Sequence, residues 1–237
     1  MTKRKVNILI VEDEVAILTG LKDVFVYHGY DVDSAETGPD GLQKALSGIF
    51  DMILLDVMLP GMNGFEICEK VRNQSRDQPI IMLTAKSADE DIIQGLTLGA
   101  DDYVTKPFSV AQLVLRVEAV LRRSHIGIET RDRIKLSDET EIDCLNLTCQ
   151  RGDESVSFTR RELEVLQYLH GNSERPVPRD ELLVKIWGYA KNMEIETRTV
   201  DIHIAKIRRK IENNPAEPRH LLTIRGAGYR LVADENV

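Results

Sequence analysis

Short apolar segments that alternate with amphipathic stretches dominate the first half of the chain. Short, mainly apolar runs occupy residues 6–11, 51–55 and 79–83, and shorter runs occupy 30–34 and 102–105. Between them, apolar residues recur at helical spacing at 17–25, 42–46, 65–71, 92–96 and 113–121. Continuous apolar runs are typical of strands that are buried on both faces, and such strands form parallel sheets covered by helices. The pattern predicts an α/β domain with a five-stranded, doubly wound parallel sheet.

The composition favours a globular chain that has no membrane partner. Hydrophobic residues make up 42% of the sequence and charged residues 30%. The apolar run 8–11 follows Lys3-Arg4-Lys5 and is far too short for a signal-peptide core or a membrane span. The three cysteines are an odd number without metal-like spacing. We therefore expect a cytoplasmic protein with free thiols.

Polar side chains follow four of the predicted strands, where each strand ends. The residues are Glu12, Asp13, Asp56, Thr84 and Lys106. In open parallel sheets, the functional site lies at the carboxyl ends of the strands, near a switch in strand order. Each of these residues alone is most simply a solvated strand end. Together they predict a site with three carboxylates, a hydroxyl and an ammonium.

This set of side chains suits phosphoryl transfer. Crowded carboxylates need a cation to neutralise them, and a hard oxygen site with few protein ligands suits Mg²⁺. We expect Asp13, Asp56 and the backbone carbonyl of Met58 to bind the ion, with Glu12 acting through water. Asp56 would attack the phosphoryl group in line to form an acyl phosphate. Lys106 and Thr84 would then hold the phosphoryl oxygens.

The first half resembles the CheY-like receiver family over about residues 5–123. The residues that carry the resemblance are Val11-Glu12-Asp13-Glu14, Leu55-Asp56-Val57-Met58-Leu59-Pro60-Gly61-Met62-Asn63-Gly64, Leu83-Thr84-Ala85 and Gly99-Ala100-Asp101-Asp102-Tyr103-Val104-Thr105-Lys106-Pro107-Phe108. The resemblance implies a flavodoxin-like fold, with Asp56 as phosphoacceptor and a sensor histidine kinase as donor. It also implies a Mg²⁺ pocket at Glu12 and Asp13, and a coupled switch of Thr84 and Tyr103. The Lys106-Pro107 bond is expected to be cis.

The charge distribution is uneven along the chain. The formal net charge is −8, but residues 1–124 carry −6 and residues 196–231 carry +4. An acidic first part before a locally basic end indicates a nucleic-acid surface in the second part.

The second half has the pattern of a small α+β domain. Residues 124–132 lack periodicity and are typical of a linker, and short alternating stretches at 133–157 predict an antiparallel sheet. Thr159 and Glu162 have the spacing of a capping box before a helix. A second helix follows at about 182–187. A third is predicted at about 197–212, with cationic and polar side chains on one face: Arg198, His203, Lys206, Arg208, Arg209 and Lys210.

The third helix and the chain end suggest contacts with both DNA grooves. A helix of about 15 residues is roughly 22 Å long and fits the major groove, where Lys206 or Arg209 can reach guanine edges. A charge-rich helix face is also compatible with simple solvation. Residues 221–231 predict a hairpin with Arg225 near its tip, and an arginine on such a wing can enter a narrow minor groove.

Residues 133–232 resemble the winged-helix effector domain of the OmpR/PhoB family. The matching segments are Phe158-Thr159-Arg160-Arg161-Glu162-Leu163, Arg179-Asp180-Glu181-Leu182-Leu183, Ile186-Trp187-Gly188-Tyr189, Arg198-Thr199-Val200-Asp201-Ile202-His203-Ile204, Ile207-Arg208-Arg209-Lys210-Ile211 and Thr223-Ile224-Arg225-Gly226-Ala227-Gly228-Tyr229-Arg230. The resemblance implies DNA binding by Arg198, Thr199, His203, Lys206, Arg208, Arg209, Thr223 and Arg225. Among these, Lys206 matches a base-reading position and Arg225 the minor-groove position. Ala205 departs from the family, whose members often have a cation there. The loop 188–196 is expected to meet RNA polymerase.

The expected dimer face departs further from the receiver family. Relatives pair through the fourth helix, fifth strand and fifth helix once phosphorylated, and Asp102 with Arg116 keeps one charged pair. At a second position, the usual cation and acid of a charged pair are replaced by Ile92 and Gln112. Two hypotheses follow: an apolar, partner-specific version of this face, or a dimer that depends less on phosphate. On DNA we expect two subunits on tandem half-sites about one helical turn apart.

The sequence interpretation is therefore a phosphorylation-dependent transcription regulator and not an enzyme. Its expected parts are a receiver at 1–123, a linker at 124–132 and a winged-helix domain at 133–237. A regulator that binds DNA without phosphorylation is the main alternative, and the intact set of Glu12, Asp13, Asp56, Thr84 and Lys106 argues against it. An aspartyl-phosphate phosphohydrolase would need a second Asp at position 58, and a dinucleotide-binding enzyme would need glycines where Val11-Glu12-Asp13-Glu14 stands.

Overall fold

The computed structural model of the chain describes residues 5–84, 98–124, 133–137, 140–188 and 198–234. The chain forms two compact units, residues 1–124 and 125–237. In the part of the chain that the structure describes, no helix is both long and apolar enough to cross a membrane. Cys68, Cys144 and Cys149 are free and buried, as predicted.

The first unit is a parallel five-stranded sheet with helices between its strands, which confirms the predicted fold. Its elements are β1 (Asn7–Val11), α1 (Val15–Tyr27), β2 (Asp31–Ala35), α2 (Gly38–Ala45), β3 (Met52–Asp56), α3 (Gly64–Gln74), β4 (Ile80–Thr84), β5 (Asp102–Thr105) and α4 (Val110–Ser124). The helix predicted around residues 92–96 lies outside the described residues, so α4 corresponds to the fifth predicted helix.

The order of the strands determines where a site can form. The sheet runs β2-β1-β3-β4-β5, and every neighbouring pair is parallel. All five residues of β3 and of β4 are buried, as are four of the five in β1, because helices cover both faces. The direction of winding changes between β1 and β3, so the carboxyl ends of these two strands flank a crevice.

The second unit combines an antiparallel sheet, helical segments and a C-terminal hairpin, again as predicted. Its elements are β6 (Arg133–Lys135), β7 (Thr140–Asp143), β8 (Thr148–Arg151), β9 (Glu154–Ser157), α5 (Arg160–Gly171), α6 (Arg179–Leu182), a π-helical segment (Leu183–Trp187), α7 (Arg198–Ile211), β10 (Leu221–Ile224) and β11 (Gly228–Leu231). Strands β6 to β9 form a meander, and β10 pairs with β11.

The predicted capping box begins α5. The Thr159 hydroxyl accepts a hydrogen bond from Glu162 N at 3.4 Å, and Glu162 Oε2 accepts one from Thr159 N at 2.8 Å. These reciprocal bonds satisfy two backbone donors at the helix start and confirm that prediction.

Candidate phosphorylation and DNA-binding sites

Three carboxylates meet at the carboxyl ends of β1 and β3. One oxygen from each of Glu12, Asp13 and Asp56 lies within 4.8 Å of the other two. Glu12 and Asp56 are buried, with 0% and 3% of their surfaces exposed, whereas Asp13 is exposed. The cluster therefore has two enclosed carboxylates and one on its open side.

Lys106 links this cluster to the end of β5. Its Nζ lies 2.8 Å from Glu12 Oε1 and 2.9 Å from Asp56 Oδ2. Glu14, which the sequence did not single out, is a third contact at 3.3 Å. The backbone positions the side chain, because Lys106 N donates to Thr84 O at 2.6 Å and the Lys106-Pro107 bond is cis, as expected. The predicted convergence of strand ends is thus present.

The electrostatics of the cluster favour cation binding. The pKa of Glu12 is raised to about 7, chiefly by burial; the hydrogen bond from Lys106 lowers it and the charge of Asp56 raises it. Burial alone would lower the pKa of Lys106, but hydrogen bonds to Glu12 and Asp56 raise it above its usual range. Glu12 Oε2 is buried and has no hydrogen-bond partner among the described residues. A buried carboxylate oxygen in this position fits a water of Mg²⁺, which retains several waters in protein sites.

The other predicted receiver residues lie on β4, on β5 and just after β3. Thr84 is fully buried at the end of β4, and the Tyr103 ring on β5 is 6% exposed, so the ring is turned inward. Met58 N donates to Asp56 Oδ1 at 3.3 Å, and the Met58 side chain is 54% exposed beside the acidic cluster.

The expected dimer face is described only in part. Arg116 Nη1 lies 3.1 Å from Asp102 Oδ2, so these two residues form an ion pair within the chain. Gln112 is exposed on α4. Ile92 lies outside the described residues.

Three of the predicted DNA contacts are exposed, one on α7 and two on the hairpin. Arg209 is exposed on α7, as are Thr223 and Arg225 on the hairpin. Arg208 connects the two elements, since its Nε donates to Leu221 O at 2.8 Å and its Nη2 donates to the Thr223 hydroxyl at 2.7 Å. Thr199 is buried, and the side chain of Arg198 lies outside the described residues.

The prediction that His203 lies on an exposed face is wrong. The imidazole is fully buried and packs in a T-shaped arrangement with Trp187, at a centroid distance of 5.1 Å. Nδ1 lies 2.8 Å from Thr199 O, which only accepts, so Nδ1 carries the proton. Burial, together with the charge of Lys206, lowers the pKa of His203 to about 3. The ring is therefore neutral at neutral pH.

Lys206 is also buried, which corrects its predicted exposure. Its Nζ lies 3.1 Å from Glu162 Oε1, an ionic contact without good hydrogen-bond alignment, and Lys210 Nζ lies 2.5 Å from Glu162 Oε2. Burial opposes ionisation of Glu162, but the two lysines lower its pKa to about 2. The helical spacing of the apolar residues predicts that the lysines on the opposite face are exposed. It did not reveal that the carboxylate of the α5 capping box draws two lysines of α7 inward.

A parallel-sheet unit with a buried acidic cluster, followed by a unit with a cationic helix and hairpin, defines a response regulator. Residues 8–118 match the response regulator receiver domain family, and residues 153–231 match the family described as transcriptional regulatory protein, C terminal.

Known relatives agree with these matches along nearly the whole chain. The alkaline phosphatase synthesis transcriptional regulatory protein PhoP of Bacillus subtilis (strain 168) is 41% identical over 232 residues, which cover 95% of this chain and 96% of PhoP. The response regulator ArlR of Staphylococcus haemolyticus (strain JCSC1435) is 40% identical over 224 residues, which cover 94% of this chain and 98% of ArlR. The solved structure of DrrB, an OmpR/PhoB homologue from Thermotoga maritima, is 32% identical with a TM-score of 0.52, covering 97% of this chain and 100% of DrrB. The solved structure of a RitR mutant is 30% identical with a TM-score of 0.71, covering 96% of this chain and 99% of the RitR chain.

The chain belongs to the OmpR/PhoB family of two-component response regulators. It is a phosphorylatable regulator with a DNA-binding transcription domain, and its two domains imply a kinase partner and promoter DNA.

Proposed function

We propose that Asp56 accepts a phosphoryl group from a sensor histidine kinase and that this reaction controls binding to promoter DNA. The observation that carries the proposal is the joint contact of Lys106 with Asp56 and Glu12, at 2.9 and 2.8 Å. In the transfer, a carboxylate oxygen of Asp56 forms a bond to phosphorus as the bond between phosphorus and the kinase histidine nitrogen breaks. The electron pair of that bond returns to the nitrogen.

The surrounding residues have distinct proposed roles. Asp13, Asp56 and the Met58 carbonyl would hold Mg²⁺, with Glu12 acting through water, and the ion would supply positive charge against the phosphoryl group. The Lys106 ammonium would exchange its contact with Asp56 for a contact with a phosphoryl oxygen. The Thr84 hydroxyl would donate to a second oxygen, and Tyr103 would fill the space behind it.

Phosphorylation would act by pairing two receivers. The proposed face includes Asp102, Arg116, Gln112 and Ile92. The Asp102–Arg116 pair within one chain supports a face whose specificity depends on more than charged pairs between subunits. The proposed parts are a receiver at 1–123, a linker at 124–132 and a DNA-binding domain at 133–237.

The proposed DNA contacts divide into two groups. Arg209 and Arg225 are exposed, which supports base contacts in the major and minor grooves respectively. Arg198, Arg208 and Thr223 would contact phosphates, whereas Thr199 is buried at the start of α7. The burial of His203 and Lys206 supports a role in holding α7, so a DNA contact by either would first require release from its partner within the domain. The dimer would bind tandem half-sites in the bacterial cytoplasm, with RNA polymerase at the loop 188–196.

Selection of binding sites from random DNA tests this proposal directly. The chain would be presented with and without Mg²⁺ and beryllofluoride, a phosphoryl mimic, alongside Asp56→Ala. We expect the mimic to tighten binding to a direct repeat only when Asp56 is present. Equal binding to a single half-site under all conditions would contradict control by phosphorylation.

A further inference from the structure

The hydroxyl of Tyr229 joins three elements of the DNA-binding domain. Tyr229 lies on β11, and its hydroxyl donates to Asp201 Oδ1 at 2.5 Å. Arg179 donates to both partners, from Nη2 to the Tyr229 hydroxyl at 2.8 Å and from Nε to Asp201 Oδ1 at 2.7 Å. Arg179 begins α6, and Asp201 lies in the first turn of α7. The hairpin is therefore connected to the start of α7 by one hydroxyl and one guanidinium.

The rest of Tyr229 is held firmly. Its backbone forms two hydrogen bonds with Val177, at 2.7 and 2.9 Å, and its side chain is buried. The Arg179 guanidinium lies over the ring, 4.6 Å from its centroid. Burial raises the pKa of Tyr229 to about 12, helped by the bond to Asp201, so the hydroxyl keeps its proton. A fixed ring and a protonated hydroxyl therefore connect β11 to the first turn of α7, in addition to the bonds from Arg208 on α7 to β10.

We propose that Tyr229 is a positioning residue for DNA binding: its hydroxyl holds the hairpin at the distance from α7 at which Arg225 and the helix reach their grooves together. The inference rests on the wing contact of Arg225 in the proposed function. Without the hydroxyl, part of the binding free energy would be used to order the hairpin. Tyr229 would act only through Arg225 and would not contact DNA itself.

A double-mutant cycle tests this inference. The probe is a duplex selected from random DNA by the parent chain, and the full chain is used with Mg²⁺ and beryllofluoride. We expect Tyr229→Phe to weaken binding about tenfold in the parent, and less than twofold in an Arg225→Ala background, because the hairpin then has no contact left to align. Asp201→Ala removes the acceptor of the same bond and should show the same non-additivity, which provides a second route if Tyr229→Phe does not fold.

Tyr168→Phe is a matched control. It removes a hydroxyl that donates to Glu181 Oε1 at 2.7 Å in the same domain, and it should leave DNA affinity unchanged. Parental affinity of Tyr229→Phe, or a loss that is equal with and without Arg225, would overturn the inference alone. Parental affinity of Arg225→Ala would contradict the proposed wing contact, and the inference would then be wrong as well.

Discussion

Lys106 Nζ lies 2.9 Å from Asp56 Oδ2, so an ammonium already occupies one oxygen of the proposed phosphoacceptor. The same ammonium contacts Glu12 at 2.8 Å. It therefore competes with a metal ion for the carboxylates, although it also stabilises a transferred phosphoryl group. These two effects have opposite signs and can be measured separately.

We predict that Lys106→Ala strengthens Mg²⁺ binding and slows phosphorylation. Loss of one positive charge beside two carboxylates should lower the Mg²⁺ dissociation constant about tenfold, which corresponds to about 1.4 kcal/mol. Loss of a cation that stabilises the transition state should slow phosphorylation by acetyl phosphate about a hundredfold. Calorimetry measures the first effect and mass spectrometry the second. Lys44→Ala, which removes a lysine paired with Asp33 at 3.1 Å in the same unit, should change neither. A parental rate in Lys106→Ala would contradict the assigned role.

The ion pairs of Glu162 lead to a prediction about stability. Glu162→Gln leaves Lys206 and Lys210 beside a neutral amide, and removal of one partner of a buried pair costs about 3 kcal/mol of unfolding free energy. Urea unfolding followed by the fluorescence of Trp187, the only tryptophan, measures the loss. The control is Glu181→Gln, whose partner Arg175 is exposed, and its loss should be much smaller. Equal losses in the two variants would show that burial of Glu162 does not strengthen its contribution.

The neutral state of His203 predicts a pH dependence. Its pKa is lowered from 6.5 to about 3 in the folded chain, so between these values the unfolded chain binds more protons, and stability falls as pH falls. From pH 7 to pH 5 this residue alone should lower the unfolding free energy by about 2 kcal/mol. Urea unfolding of the parent and His203→Gln at pH 7, 6 and 5, followed at Trp187, would give the difference. Parallel pH profiles for the two proteins would rule out a buried neutral imidazole.

The proposed phosphorylation site was predictable because it depends on where strands end. Glu12, Asp56 and Thr84 come directly after or at the end of apolar runs, and parallel topology brings such ends to one edge. The contact of Glu14 with Lys106 was not predictable in this way. Glu14 follows Asp13 without any periodic signal, and only the direction of the Lys106 side chain brings the two together.

The extent of α7 was predictable from the sequence, but which of its side chains are buried was not. Periodicity gave residues 197–212, close to the observed Arg198–Ile211. It assigned Lys206 to the surface because the partner of Lys206 is 44 positions earlier in the chain, and no local pattern carries that pairing. The side chain of Glu162 was predicted only as a cap, although it also binds the two lysines.

Two glycines of the C-terminal hairpin provide the last prediction. Gly228 has φ of +122°, and an added Cβ would lie 2.0 Å from Val177 O, in backbone that cannot move without breaking the Val177–Tyr229 bonds. Gly226 also has a positive φ, +75°, but a Cβ there would meet nothing within 4 Å. Gly226→Ala should therefore cost about 1 kcal/mol from backbone strain alone.

Gly228→Ala should cost clearly more than Gly226→Ala and should also weaken DNA binding, because the clash displaces β11 and with it Tyr229. Both variants add the same methyl group at positions two residues apart, so the effect of the substitution on the unfolded chain is the same in both. Urea unfolding at Trp187 and binding to the selected duplex are the two measurements. Equal losses of stability in the two variants would show that the close approach of β11 to Val177 does not restrict position 228. The hairpin would then tolerate a shift of β11, and such a shift would also separate Tyr229 from Asp201.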